Sequence, residues 1–214
     1  MDSIDSFDEN RKQKKHKSDS IVKVNNDDIA KNIYAIAVTL KNNGNIVESE
    51  RLVLEAIDLF ETPRFKAICF MNLGNWYMKI NMVHSEKYYL KARAILPNYI
   101  SAKISMGWLR MRQRNNLEAI RYTTLAIELI NKADNLNEKY KTKSRINAMW
   151  NLAWIQHKEW IDGNESSKGK AADLYIETLK LVGKNTILTK CIGLLYSNNH
   201  VEFLKIYERY LSIV

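Results

Sequence analysis

Residues 70–97, FMNLGNWYMKINMVHSEKYYLKARAILP, decide the fold of this chain. Apolar and small side chains recur there with a period near 3.6 residues, in two runs that a polar turn separates. The positions that mark this pattern are Phe70, Leu73, Gly74, Tyr77, Ser85, Tyr89, Ala92 and Pro97. A glycine costs a helix about 1 kcal/mol relative to alanine. We therefore interpret Gly74 as a point where a second helix packs closely.

The same pattern occurs again on both sides of this stretch. Pro63 and Pro97 are 34 residues apart, and a period of about 20 to 50 residues is typical of internal repeats. An earlier copy contains Ile33, Ile36, Ala37, Leu40, Ser49, Val53, Ala56 and Pro63. Later copies contain Met106, Gly107, Ala119 and Ala126, then Leu152, Ala153, Ala171, Tyr175 and Thr178, and finally Cys191, Ile192, Gly193 and Tyr196. The sequence therefore predicts repeated helix pairs.

This pattern resembles the tetratricopeptide repeat, a helix-turn-helix unit with a Leu-Gly pair in its first helix and small residues in its second. The resemblance implies an all-α fold, an α-solenoid of four to five repeats. Residues 1–28 are polar and lack this period, which predicts a flexible charged tail. The solenoid is predicted for residues 29–214, with repeats at roughly 30–63, 67–98, 100–133, 137–184 and 186–214. The first helix of a pair should touch the second at Ala37, Gly74, Gly107, Ala153 and Gly193.

Composition agrees with a helical protein. Seven glycines and two prolines in 214 residues are too few turn residues for a β protein of this size. No apolar run is long enough to cross a membrane, and the first residues lack the apolar segment of a signal peptide. We therefore expect a cytoplasmic protein, with Cys69 and Cys191 as buried free thiols.

The positive charge is concentrated in the middle of the chain. The formal net charge is +9, and residues 64–115 hold ten lysines and arginines against one acid, Glu86. A basic face attracts acidic partners, and nucleic acids are among them. A solvated basic surface without a ligand is the alternative interpretation.

The sequence contains no recognisable catalytic or metal-binding arrangement. The run GNESSKGKA from Gly163 resembles a phosphate-binding loop, but Ala171 follows Lys170 where that loop needs Ser or Thr. We interpret it as a polar surface loop. His84, His157 and His200 lack a second ligand at helical metal spacing. These observations predict a protein without enzymatic activity, cofactor or metal.

The resemblance also implies a concave groove, lined by the first helices of successive repeats, in which partners dock. The positions that face the groove in the repeat pattern give the predicted groove residues, which are Tyr34, Val38, Met71, Asn75, Met78, Ile104, Trp108, Met111, Trp150, Trp154 and His157. The basic residues predicted to flank them are Lys41, Lys79, Arg112 and Lys158. Aromatic and methionine side chains are enriched at interface cores. The alternative is that these side chains belong to the core and are covered by the tail or by neighbouring helices.

We therefore predict a non-enzymatic interaction module, an adaptor, scaffold or chaperone-like protein that binds a peptide or protein partner of acidic and apolar character. The alternatives are nucleic-acid binding through the basic middle repeats, and a regulatory subunit of a larger complex such as a secretion-system chaperone. A clamp for C-terminal carboxylates is not expected, because only Asn72 fits that pattern. The apolar end of the last helix, with Leu211, Ile213 and Val214, allows either folding back or a homodimer.

Overall fold

The computed structural model describes residues 25–213, apart from the side chains of residues 210, 212 and 213. This part of the chain is built from α-helices and has no strand. The helices are α1 (Asn26–Asn42), α2 (Ile46–Leu59), α3 (Pro63–Tyr77), α4 (Met82–Ile95), α5 (Ile100–Arg112), α6 (Asn116–Lys132), α7 (Glu138–Ile161), α8 (Ser167–Val182), α9 (Thr186–Tyr196) and α10 (His200–Ile213). The predicted fold class, an all-α array of helix-turn-helix pairs, is confirmed.

The chain divides into two compact units between Glu61 and Thr62. The described part of the first unit consists of α1 and α2, which pack against each other. The hydroxyl of Ser49 on α2 donates to the carbonyl oxygen of Ala37 on α1 at 2.6 Å. At the other end of the pair, the Glu61 amide donates to the carboxylate of Asp27 at 2.7 Å. Both ends of this helix pair are therefore joined by hydrogen bonds.

The predicted tail lies outside the described residues as far as position 24. Residues 26–28 correct its predicted end, because they form the first turn of α1. The Asn25 side chain accepts a hydrogen bond from the Asp27 amide and caps the helix, and Asp27 and Asp28 place negative charge at its N-terminus. Both features stabilise a helix start.

Asparagine side chains begin several helices of the second unit. The side-chain oxygens of Asn81, Asn115, Asn137 and Asn185 accept hydrogen bonds from backbone amides in the first turns of α4, α6, α7 and α9. Asparagine is among the preferred residues at this position, since its short side chain reaches the free amides. The short connections between the helices therefore follow from the local sequence.

Two glycines of the second unit lie where the paired helices touch. A Cβ atom added to Gly74 on α3 would lie within 3.0 Å of the ring of Tyr89 on α4. A Cβ atom on Gly107 of α5 would collide in the same way with the hydroxyl of Thr123 on α6. Tyr89 and Thr123 are both fully buried. Each glycine therefore allows a close approach that a side chain would prevent.

The prediction that α9 closely contacts the next helix at Gly193 is wrong. A Cβ atom there would meet no atom of the described residues within 4 Å, so none of the described helices packs closely at this position. The reason is the arrangement of the last two helices: α9 packs against α8, and α10 contacts α7 as well as α9.

The stretch from Gly163 is only partly the surface loop that we expected. Helix α8 already begins at Ser167, because Ala171, Ala172 and Tyr175 are buried on one face of that helix. Leu211 on α10 is buried, as expected of a last helix that folds back. Both cysteines are buried free thiols, as predicted. None of the helices in residues 25–213 has the length and apolar character that crossing a membrane requires.

Candidate interaction groove

A cavity of about 560 Å³ opens along the first helices of successive pairs in the second unit. Its apolar lining consists of Met78, Ile104, Trp108, Ile146, Trp150 and Ile187. Its polar lining consists of Asn75, Tyr89, Ser105, Asn147 and Asn151. Helices α3, α5, α7 and α9 all contribute, and none of the described residues that line the cavity is charged. We call this surface the open groove.

Asn75 forms the polar end of the open groove on α3. The buried phenol of Tyr89 donates to the Asn75 side-chain oxygen at 2.6 Å, and burial raises the pKa of Tyr89 to about 12. The phenol therefore stays protonated at neutral pH and fixes the Asn75 amide. The hydroxyl of Ser105 lies 3.5 Å from the same oxygen. The Asn75 nitrogen can donate to a ligand, because the phenol engages the oxygen.

Helix α7 supplies the opposite wall with a regular stripe. Asn147 lies one turn before the adjacent residues Trp150 and Asn151, and all three line the open groove. Asn147 is exposed, Trp150 is half-buried and Asn151 is buried. Two amide groups therefore flank an indole ring, which offers hydrogen bonds beside an apolar surface.

Five of the predicted groove residues line the open groove together. They are Asn75, Met78, Ile104, Trp108 and Trp150. Met78 and Trp108 are nevertheless buried, with exposed fractions of 4% and 7%. Met71 is half-buried and packs against the main core cluster, and Lys79 is exposed just after α3. Tyr34 and Val38 are half-buried on α1 in the first unit. None of these four lines the open groove.

Met111, Trp154 and His157 are core residues in this structure, which corrects their predicted position on an open surface. All three have an exposed fraction of 0%. Trp154 and His157 are covered by helix α10, whose Phe203 ring lies 3.5 Å from the His157 ring, measured between centroids. Of the two alternatives that the sequence left open, coverage by a neighbouring helix applies to these residues.

The buried His157 is held in its neutral form. Burial lowers its pKa to about 3, and the nearby His200 and Lys168 add to this effect. Its Nδ1 atom lies 3.3 Å from the hydroxyl of Tyr175. At neutral pH the imidazole therefore acts as a flat, uncharged ring stacked on Phe203.

The predicted basic flank of the groove is largely used within the protein. Arg112 donates to the carbonyl oxygen of Met78 at 2.8 Å and so fixes one edge of the open groove. Lys158 pairs with Asp162 on its own helix. Lys41 is half-buried on α1 in the first unit. The described part of the groove therefore has an uncharged lining with a guanidinium group near one edge.

Much of the basic block at residues 64–115 has intramolecular partners as well. Arg110 forms an ion pair with Glu86 at 2.5 Å, and Arg93 donates to the Tyr122 hydroxyl at 2.9 Å. The other members with such contacts are Lys91, Lys103, Arg112 and Arg114. The arginine at position 110 lowers the pKa of Glu86 by its hydrogen bonds. At least six of the ten basic side chains thus hold helices together.

Sequence reasoning missed six residues that line the open groove. They are Tyr89, Ser105, Ile146, Asn147, Asn151 and Ile187. The stripe on α7 carried a usable signal, since Asn147 and Asn151 have the spacing that places them beside Trp150 on one helix face. The sequence gives no such indication for Ile187, because its position in the groove depends on how α9 packs. Among residues 25–213, no group of three His, Cys, Asp or Glu side chains is arranged to hold a metal ion.

The comparisons with known proteins support the fold. No protein-family model matches the chain, and no curated protein matches its sequence. A chain in the crystal structure of the APC/C hetero-tetramer Cut9-Hcn1 has a similar fold with a TM-score of 0.59. The two sequences are 17% identical, and the match covers 85% of this chain and 32% of that chain. This chain thus matches about a third of its neighbour's length.

The helix pairs define the structural class of the protein. The chain is an all-α protein of tetratricopeptide-like helix pairs.

Proposed function

We propose that this protein is an interaction module whose open groove binds a polypeptide segment of a partner protein. The observation that carries the proposal is the lining of that groove, in which apolar side chains alternate with amide groups and none of the described lining residues is charged. A volume of about 560 Å³ is sufficient for a few side chains, and pockets of about 300–1,000 Å³ are typical of specific ligand sites.

The chemistry of the lining indicates which groups of the partner bind where. Trp150, which is half-buried, offers aromatic surface to an apolar side chain of the partner, and the buried Trp108 lines the same cavity. The amides of Asn75 and Asn147 can donate and accept hydrogen bonds, as the backbone of a bound segment requires. An acidic group on the segment would meet Arg112 at the edge. The partner segment is thus mainly apolar, with any acidic residue at its end.

Nucleic-acid binding is the weaker candidate. Its predicted contacts are the basic residues between positions 64 and 115, and at least six of those ten side chains already have partners within the protein. Within the described part of the chain, the lining of the open groove lacks the cations that phosphate groups need.

A selection of peptides tests the proposal and does not require the identity of the partner. Random peptides displayed on phage are selected on the full chain, and the affinity of the enriched peptides is measured by fluorescence anisotropy. Asn147→Arg places a long cation in the open groove without touching the core, since Asn147 is exposed. Thr142→Arg is the matched control, because Thr142 is exposed on the same helix and does not line the groove.

We expect the enriched peptides to lose at least about tenfold in affinity for the Asn147→Arg variant, a loss of about 1.4 kcal/mol. Their affinity for the Thr142→Arg variant should match that of the wild type. Equal affinity for all three proteins, or binding that disappears with added salt in each of them, would contradict the proposal.

A further inference from the structure

Helix α10 lies antiparallel on α7, next to the part of that helix that lines the open groove. Three ring contacts define the register: Trp160 with His200 at 4.6 Å, His157 with Phe203 at 3.5 Å, and Trp154 with Tyr207 at 5.7 Å between centroids. Residue numbers fall along α7 as they rise along α10. Towards its C-terminal end, α10 therefore runs in the direction of Trp150 and the open groove.

The covered and the open surface form one continuous face of α7. Asn147, Trp150 and Asn151 line the open groove. Trp154 follows Trp150 by one turn, and side chains four residues apart lie above each other on a helix. The open groove is therefore the part of this face that the described side chains of α10 leave uncovered.

The attachment of α10 to α7 rests on one side of the helix. Phe203, Tyr207 and Leu211 are buried, with exposed fractions of 0%, 2% and 8%, and they recur every fourth residue. Glu208 adds an ion pair with Arg114, in the turn after α5, at 3.1 Å. Both side chains of this pair are largely exposed, at 65% for Arg114 and 48% for Glu208.

Helix α9 also holds α10, through an ion pair between Lys190 and Glu202 at 2.9 Å, but without the close approach that the regular pairs have. The regular pairs of the second unit pack against a glycine of their first helix, at Gly74 and Gly107. The corresponding Gly193 on α9 has no atom of the described residues near it that a Cβ would meet. The aromatic side of α10 therefore packs on α7, as the apolar side of an amphipathic helix packs in a groove.

We propose that α10 is a built-in occupant of one groove on α7, and that a partner's amphipathic helix of the same chemistry displaces it. This helix carries aromatic residues at positions i and i+4, an acidic residue at i+5 and an apolar residue at i+8. The aromatic residues stack on His157 and Trp154 in place of Phe203 and Tyr207, and the acidic residue pairs with Arg114 in place of Glu208. The inference rests on the proposed function, because it gives the interaction module a second site on the part of the α7 face next to the open groove.

The α10 segment itself provides the probe. A labelled peptide of residues 199–213 is titrated against the full chain and against the full-length double variant Phe203→Ala, Tyr207→Ala. In the wild type the tethered α10 competes at a high effective concentration. We expect the peptide to bind the double variant at least about tenfold more tightly than the wild type. A peptide with alanine at both aromatic positions should bind neither protein.

A second, milder variant keeps the test informative if the double variant does not fold. Glu208→Arg removes the exposed ion pair and leaves the buried face of α10 intact, so the labelled peptide should bind this variant a few times more tightly than the wild type. Circular dichroism verifies that each variant retains its helices. Equal affinity of the peptide for the wild type and both variants, or binding to none of them, would overturn the inference.

Hydrogen exchange of the wild type provides an independent readout. Excess α10 peptide should speed the exchange of amides in residues 200–213 and leave those of α3 and α4 unchanged. Unaltered exchange of α10 at saturating peptide would contradict displacement. Failure here is distinguishable from failure of the proposed function, because phage-selected peptides that depend on Asn147 would still bind the open groove.

Discussion

The pair α3–α4 and the pair α9–α10 begin from the same sequence pattern and pack differently. In the first pair, Gly74 admits the ring of Tyr89, and the Ser85 hydroxyl donates to the carbonyl oxygen of Gly74 at 2.8 Å. In the last pair, the described residues leave the space beside Gly193 empty, and α10 packs its aromatic side onto α7. A glycine in the right phase therefore permits a close approach, but it does not by itself bring the second helix there.

The difference follows from what each second helix can bury. Helix α4 carries the small and aromatic residues that fit the surface of its own first helix, and Ser85, Tyr89 and Ala92 are all fully buried. Helix α10 carries large side chains at the corresponding places, and α7 offers it Trp154 and His157. Burial of aromatic surface is the larger gain. Helix α10 therefore packs its aromatic side on the aromatic face of α7.

The largest loss of stability is expected from a substitution at the centre of the regular α3–α4 pair. Tyr89→Ala removes a fully buried ring and its hydrogen bond to Asn75. Replacement of a buried aromatic residue by alanine costs about 3–5 kcal/mol, and urea denaturation should show a loss of this size in the free energy of unfolding. Tyr196→Ala is the control, since Tyr196 on α9 is 62% exposed. A loss below about 1 kcal/mol for Tyr89→Ala would contradict the packing described for α3 and α4.

The α7–α10 contact should weaken in acid. The pKa of His157 is about 3 in the folded protein, against 6.5 for an ordinary histidine. Between pH 6.5 and pH 3 the unfolded chain binds a proton that the folded chain does not. The contribution of His157 to the free energy of unfolding is therefore fully present above pH 6.5 and is lost as the pH falls. One such proton changes the free energy of unfolding by about 1.4 kcal/mol per pH unit.

Urea denaturation at pH 7, 6 and 5 measures this effect. His157→Gln should remove most of the dependence above pH 5, while His84→Gln should keep it, because His84 lies exposed in the regular α3–α4 pair. The charged and titratable groups facing His157 are Lys168, His200 and Tyr175. The same pH slope in the wild type and in His157→Gln would assign the effect to other groups.

A smaller loss is expected when a methyl group is added where helices touch. In Gly74→Ala the new Cβ would lie within 3.0 Å of the buried Tyr89 ring. Overpacking of this kind costs about 1–3 kcal/mol, and the better helix propensity of alanine returns up to about 1 kcal/mol. The melting temperature of the variant should therefore fall. An unchanged or higher melting temperature would show that the ring moves without cost.

The sequence predicted the helix pairs because each carries its own local signal. Gly74 and Gly107 are costly in isolated helices, so their recurrence at one phase indicated compensating contacts, and the structure has them. The phase of α7 predicted Trp150, Trp154 and His157 for the groove, and of these only Trp150 lines it. What covers the other two was not predictable, because Phe203 lies far along the chain from His157. Helical periodicity identifies a face and carries no information about its occupant.

The smallest expected effect has the opposite sign and tests the comparison most directly. Gly193→Ala makes the same chemical change as Gly74→Ala at the corresponding position of the last pair, where the new methyl group meets no atom of the described residues within 4 Å. Gly193 lies inside α9, so only the change in backbone entropy and helix propensity remains. Alanine should therefore stabilise the protein by about 0.5–1 kcal/mol, seen as a small rise in the melting temperature. If Gly193→Ala destabilised the protein as Gly74→Ala does, α10 would have to pack against α9 in the regular way, and its position on α7 would be wrong.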